Sequence, residues 1–233
     1  MIDFYYAPTP NGWKVGIMLE ECGLEYKTIL VGLTKGEQFQ SNFMNISPNA
    51  KVPAIVDHDV DGEPISVFES GAILLYLAGK AERFILTDPL GLKETYEWLF
   101  WQVGNQGPIS GQLSHFINYA PDIQEYSLNR YRGEYERNLA VLERRLEGRK
   151  FILGQSYSIC DMMAFPWAFI AKNFGFTFDR FPNVAHWRER IKQRPAVHNA
   201  INLLKEKQNR GQHSASNNSI LYNQSAEHIL DKF

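Results

Sequence analysis

Cysteine is scarce in this chain: its 233 residues contain two, Cys22 and Cys160. They stand too far apart in sequence to suggest a CxxC redox pair or a metal knuckle. Neither reads as half of a framework disulfide. Cys22 continues the helical stripe Val15, Met18, Leu19, Cys22 and reads as a small buried hydrophobe, and Cys160, beside a capping motif, reads the same way. Long apolar runs are also missing. Stretches such as Ala72 to Ala78 fall far short of the roughly 18 residues that a membrane-spanning helix requires, and no basic segment precedes a leader-like run. A cytoplasmic protein with no membrane partner is the expectation. An excess of one charge is absent too: the net charge of -2 favours neither nucleic acid nor an anionic surface, so small molecules or proteins are the expected partners.

What the chain does have is 44% hydrophobic and 13% aromatic content, enough for a substantial core. Up to about residue 82, strand and helix signals alternate. Ile2 to Tyr6 reads as a strand, Asn11 to Cys22 as an amphipathic helix stopped by Gly23, and Tyr26 to Val31 as a second strand. A polar segment follows, then strands at Val52 to Val56 and Ile65 to Val67 and a helix from Ser70 to Leu77. The order βαβαββα places a crossover between parallel strands, then an antiparallel pair and a closing helix, which is an α/β sandwich over residues 1–82. From about residue 92 the periodicity turns helical, with Tyr96, Leu99, Phe100, Val103 and later Tyr131, Tyr135, Leu139, Leu142, Leu146. An all-helical domain over 92–205 is expected after a linker containing Asp88 and Pro89. Ser158 and Asp161 have capping-box spacing and mark a helix start, and Pro166 is expected to kink that helix or begin a new one. The extension over 206–233 has a disordered composition, and only Ile220, Leu221, Tyr222, Ile229, Leu230 and Phe233 can anchor it.

Three short stretches carry candidate chemistry. In "APTPNGWK", Thr9 is placed as an N-cap with Pro10 at the first helical position, and the open question is whether its hydroxyl also acts on a ligand. In "AKVPAIVD", Pro53 interrupts a strand. It either lies on an edge or forms a cis Val52–Pro53 bond that turns the Val52 N–H and C=O towards an extended peptide ligand. In "FESGAILLYL", Glu69 and Ser70 stand at a helix mouth, which suits a carboxylate but equally suits an ordinary N-cap.

Taken together, "APTPNG", "GEQF", "ISPNAKVPAIVDHD", "FESGAILLYL", "LFWQVGNQGPISGQ" and "YSICDMMAFPW" resemble the cytosolic glutathione transferases over about the first 205 residues. The narrower match is to the nu class and the fungal nitrogen-regulator-like members. The resemblance implies a thioredoxin-like N-terminal domain followed by an all-α domain, and a symmetric homodimer. Its implied cosubstrate is glutathione or glutathione disulfide, with no metal, and its partners are small organic or mixed disulfides. Val52 and Pro53 would pair with the cysteinyl backbone, Glu69 and Ser70 would hold the γ-glutamyl end, and Gln38 and Lys51 would reach the rest of the tripeptide. Thr9 and Asn11 would face the sulfur, and Arg130 would approach glutathione disulfide, although a solvated charged face explains Arg130 as well. The segment from Trp101 to Phe116 either lines the second-substrate side or uses its glycines for close helix packing.

The implied activity is glutathione-dependent disulfide reduction with no protein cysteine in the chemistry. Conjugation of an electrophile and reduction of an organic peroxide use the same activated thiolate and stay open. A non-catalytic regulatory or binding protein of this fold is the alternative from another class, disfavoured by the intact Pro53 and Glu69–Ser70 motifs.

Overall fold

Ile2, Phe4 and Tyr6 bury one face of the first strand while Asp3 and Tyr5 are half-buried, the period-two alternation that a pleated strand requires. In the computed structural model this strand, β1 (Ile2–Tyr6), pairs in parallel with β2 (Tyr26–Leu30) and antiparallel with β3 (Ala54–Asp57). β4 (Ile65–Phe68) pairs antiparallel with β3, giving a mixed four-stranded sheet in the order β2-β1-β3-β4. The structure describes residues 1–122, 124–205, 220–221 and 224–230.

The crossover from β1 to β2 is helix α1 (Pro10–Cys22), which ends at Gly23 in the left-handed conformation, φ 65. That backbone suits glycine, and its N–H closes the helix onto Glu20 and Leu19 carbonyls. Between β2 and β3 lie two 3₁₀ turns, Leu33–Lys35 and Glu37–Phe39, and the one-turn helix α2 (Ser41–Met44). Helix α3 (Ser70–Ala81) follows β4 and runs one turn beyond the sequence expectation. The third strand begins at Ala54 and not at Val52, because Pro53 has no N–H to give to a ladder.

The chain divides into two units, Met1–Leu77 with Ala196–Phe233, and Ala78–Pro195. In the first, Ile2, Phe4, Tyr6, Val15, Ile17, Met18, Leu19, Ala54, Ile55, Ile73, Leu74 and Leu77 form the buried interior of sheet and helices. Helix α9 (Pro195–Asn202) belongs to this unit and lies against α1, where a Cβ on Gly16 would come within 3.2 Å of the Ala200 Cβ. The second unit is helical: α4 (Pro89–Trp101), a π-helical segment Gln102–Gln106, α5 (Gly107–Asn118), α6 (Glu125–Arg145), α7 (Ile159–Phe169) and α8 (Pro182–Lys192). Helix α7 passes through Pro166 without a new helix starting there. The proline removes only its own bond to the Met162 carbonyl, and burial of the helix on all sides compensates for that loss.

Both halves of the capping box form at Ser158 and Asp161. Asp161 does more than cap: one carboxylate oxygen accepts from the Ile152 N–H at 2.9 Å and the Trp187 indole at 2.8 Å, the other from Ser158 N–H and hydroxyl, both at 3.0 Å. Burial pushes its carboxyl up to about 6, while these bonds pull it down, so it is ionised at neutral pH. An amide in its place would turn an NH₂ group towards two donors. Asp161→Asn is therefore expected to lower the unfolding free energy by about 2–4 kcal/mol, measured by urea denaturation at pH 7.

Candidate functional site

Strand register brings the three motifs together. Ala54, the first residue of β3, lies opposite Tyr5 near the end of β1, and Phe68, the last residue of β4, lies opposite Ala54. Leu30, the last residue of β2, lies beside Tyr6. The segments carrying Thr9 to Asn11, Val52 to Pro53 and Glu69 to Ser70 therefore leave the same end of the sheet. With neighbouring strands about 4.8 Å apart, the three junctions span about 10 Å, the scale of a short peptide.

At the first junction Thr9 is an extended N-cap, φ -123 and ψ 159, whose hydroxyl oxygen accepts from the Gly12 N–H at 3.1 Å. Pro10 opens α1, and the first turn carries no acidic residue, so no carboxylate of the helix offsets its positive end. The Thr9 hydroxyl proton is left to donate elsewhere. Gly12 fits only because it has no side chain: a Cβ there would collide with the Ala7 carbonyl oxygen and lie 2.8 Å from the Tyr6 ring. The nearby Tyr6 hydroxyl donates to the Leu203 carbonyl at 3.3 Å, and burial holds it up at about 12.

At the second junction the Val52–Pro53 bond is cis, and Val52 precedes the first ladder pair. The Ser47 hydroxyl donates to the Lys51 carbonyl at 2.8 Å and steadies the approach. Lys51 is exposed, and its ammonium donates to the Gln224 side-chain oxygen at 3.5 Å. That contact belongs to the C-terminal extension, whose Ile220 and Ile229 pack on Phe39, Met44 and Ala50, with the His228 ring 4.9 Å from the Phe39 ring. Two of the expected anchors are thus used, Leu230 is exposed, and Tyr222 and Phe233 lie outside the described residues. Gln38 is 1% exposed, and neither its amide nitrogen nor its oxygen has a hydrogen-bond partner among the described residues. Contact between Gln38 and a ligand requires displacement of what covers it.

The third junction holds Glu69, exposed with a left-handed φ of 69, and Ser70, the first residue of α3. Behind Ser70 stands a residue that sequence reasoning passed over. Lys14 is buried in α1, its ammonium 3.5 Å from the Ser70 hydroxyl oxygen. The available signal was a lysine at helical spacing from Met18, inside the apolar stripe.

Arg130 belongs to the helical unit, where it pairs with Glu134 at 2.5 Å with 57% of its side chain exposed, and that hydrogen bond raises its already high pKa. Arg132 donates to the Phe174 carbonyl at 3.1 Å. In the Trp101–Phe116 segment, Gln106 donates to the Ala164 carbonyl, and a Cβ on Gly107 would meet Gln102 of the same segment at 3.1 Å. A Cβ on Gly104 or Gly111 would meet nothing within 4 Å, so packing does not account for those glycines. Cys22 sits at the far end of α1, about 18 Å from Pro10 at 1.5 Å per residue. Cys160 is buried, and desolvation pushes its thiol far above the usual range. Among the described residues no three His, Cys, Asp or Glu side chains are placed to hold a metal, and no helix is long and apolar enough to cross a membrane.

Comparison with known proteins decides the family. The family model described as the glutathione S-transferase N-terminal domain matches residues 2–79, and that for the C-terminal domain matches 114–195. The chain belongs to the glutathione S-transferase family. The four-stranded sheet is the thioredoxin-like sheet of the transferase N-terminal domain, and the helical unit is its all-α partner. Among its relatives, the Escherichia coli disulfide-bond oxidoreductase YfcG is 47% identical over 203 residues, covering 86% of this chain and 94% of that protein. A Pseudomonas fluorescens transferase family member with two glutathione molecules bound is 38% identical, with a TM-score of 0.81 over 86% of this chain and 92% of the other. A Pseudomonas putida transferase with one glutathione disulfide bound per subunit is 37% identical, with a TM-score of 0.80 over 87% and 91%.

Gly12→Ala in this transferase is expected to push apart the end of β1 and the start of α1. Chemical denaturation should show a loss of about 1–3 kcal/mol, the usual cost of forcing atoms into a packed site.

Proposed function

We propose that this transferase is a glutathione-dependent disulfide-bond reductase of nu-class type, in which every reacting sulfur comes from substrate. The observation that carries the reading is the start of α1: a capped, acid-free helix end beside the other two junctions, with Thr9, Pro10 and Asn11 where a dithiol enzyme needs cysteine. The similarity to disulfide-bond oxidoreductase YfcG and to transferases with glutathione or its disulfide bound supports it.

A thiol of pKa about 8.5 is only roughly 3% ionised at neutral pH, so the bound sulfur must be activated. Thr9 donates its hydroxyl proton to the sulfur while still accepting from Gly12, Asn11 adds a second donor, and the helix end adds positive potential. A pKa lowered by about two units corresponds to about 2.7 kcal/mol of preferential thiolate binding, within reach of two charge-assisted hydrogen bonds. The thiolate attacks one sulfur of a mixed glutathione disulfide. The new S–S bond gives glutathione disulfide, the old bond breaks, and the released thiolate takes a proton from water. Run backwards, the same step uses glutathione disulfide as oxidant.

Val52 and Pro53 hold the cysteinyl backbone, and Glu69 and Ser70 hold the γ-glutamyl ammonium and carboxylate. Lys51 takes the glycyl carboxylate in place of Gln224, and Gln38 contributes its amide once uncovered. Arg130 serves the disulfide form from the helical domain. Residues 1–82 act as the glutathione-binding domain and 92–205 as the helical domain, in a cytoplasmic homodimer, as the resemblance implies.

Turnover of 2-hydroxyethyl disulfide with glutathione is expected to exceed conjugation of a chlorodinitrobenzene, and a strong second activity without the first would reverse this assignment. Asn11→Ala should reduce disulfide turnover about tenfold or more, the value of one charge-assisted hydrogen bond, while Cys22→Ala leaves it unchanged. Thr9→Asp separates capping from chemistry. Aspartate caps as well as threonine, so thermal stability should be retained, but a carboxylate beside the sulfur should abolish turnover.

A further inference from the structure

A lysine with 2% exposure is an expensive component of a core, because its ammonium loses most of its hydration. Lys14 sits in α1 between Trp13 and Val15, both buried, where methionine would fill similar space without that cost. Its Nζ donates to the Ser70 hydroxyl oxygen at 3.5 Å, and Ser70, itself 9% exposed, is the first residue of α3. A hydroxyl that accepts from an ammonium directs its own proton outward. The two residues thus form a relay from a buried positive charge to the mouth of a twelve-residue helix.

We propose that Lys14 is a positioning residue of the γ-glutamyl subsite, its ammonium fixing the Ser70 hydroxyl as a donor to the ligand's α-carboxylate and supplying positive charge from behind. This rests on the reading of Glu69 and Ser70 as the γ-glutamyl site. The charged group acting on Lys14 is Glu69, which favours the ammonium, while burial opposes it and lowers Lys14 to about 7. Of the other acids on or beside α1, Glu20 accepts from Tyr26 and Asn199, and Asp3 of β1 pairs with His58. Lys14 is therefore partly deprotonated near neutrality, and a carboxylate bound at Ser70 draws a proton onto it. Binding of that carboxylate above pH 7 takes up protons, and affinity falls as pH rises further.

The test is titration calorimetry on the full chain at pH 7.5, in phosphate and in Tris, whose ionisation heats differ. The probes are S-methylglutathione, which has no thiol to titrate, and its counterpart with 4-aminobutyrate replacing the γ-glutamyl group, which keeps the amine but lacks the α-carboxylate. The expected result is fractional proton uptake with the first probe and none with the second. Lys14→Met should abolish the uptake, weaken S-methylglutathione about tenfold, a factor within the range of a hydrogen bond to a charged group, and leave the second probe's affinity unchanged. In turnover, KM for glutathione should rise while kcat holds. Equal uptake with both probes on the unaltered chain, a comparison that needs no variant to fold, overturns the role of Lys14. So does binding of S-methylglutathione without uptake. Failure of the unaltered chain to bind either probe overturns the functional reading and this inference with it.

Discussion

The antiparallel pairing of β1 with β3, which sets Tyr5 opposite Ala54, determines which parts of the chain meet. Were β3 parallel to β1, the Val52–Pro53 segment would leave the opposite end of the sheet from Thr9. A slip by one residue would turn Ile55, buried in the core, to the other face. The register is held because both faces of β3 are used: Ala54, Ile55 and Asp57 are all buried, and Asp57 accepts from the Tyr76 hydroxyl at 2.8 Å. Core packing and site geometry are consequences of one ladder.

Given that frame, the proposed site works by positive potential arranged around an anionic ligand. Two helices, α1 and α3, start at the same sheet end, and each N-terminus carries partial positive charge equivalent to roughly half an elementary unit. Lys14, when protonated, adds a charge that the interior resists. The two sources differ in what they can do. A helix end cannot be titrated away, so it suits a sulfur that must stay ionised through the reaction. A buried amine responds to pH and to the ligand, so it suits the recognition of a carboxylate that does not react.

Much of this was legible from residue patterns. Period-two alternation in Ile2 to Tyr6, the Gly23 stop and the Ser158–Asp161 box are local signals, and each appears in the structure where its physics requires. Boundaries moved where a single backbone group ruled: the missing N–H of Pro53 delayed β3 by two residues. Other features were invisible for a different reason. The contact of Lys51 with Gln224 spans 173 residues, and nothing in either neighbourhood encodes it. Lys14 was passed over because lysine is so rarely buried, and only its place in the stripe of α1 pointed to it. Gln38 was picked out by motif as a ligand residue, but motif alone could not show that its amide is covered and has no partner among the described residues.

The buried Gln38 amide also bears on how the site operates. An amide enclosed without partners costs about 1–3 kcal/mol, and a core selected only for stability would replace it with an apolar side chain. The segment carrying it is held by Phe39 and Met44, and the surface of those residues is covered by Ile220 and Ile229 of the C-terminal extension. The same extension occupies Lys51 through Gln224. The extension therefore packs on Phe39, the neighbour of Gln38 in the chain, and meets Lys51 through a weak, exposed hydrogen bond. The polar contact exchanges readily for a carboxylate, which binds an ammonium more strongly than an amide oxygen does. The apolar contacts do not exchange, since no part of a tripeptide replaces isoleucine on phenylalanine. In the proposed site a carboxylate reaches Lys51 once Gln224 lets go, whereas the packed contacts on Phe39, beside Gln38, have no counterpart in the ligand.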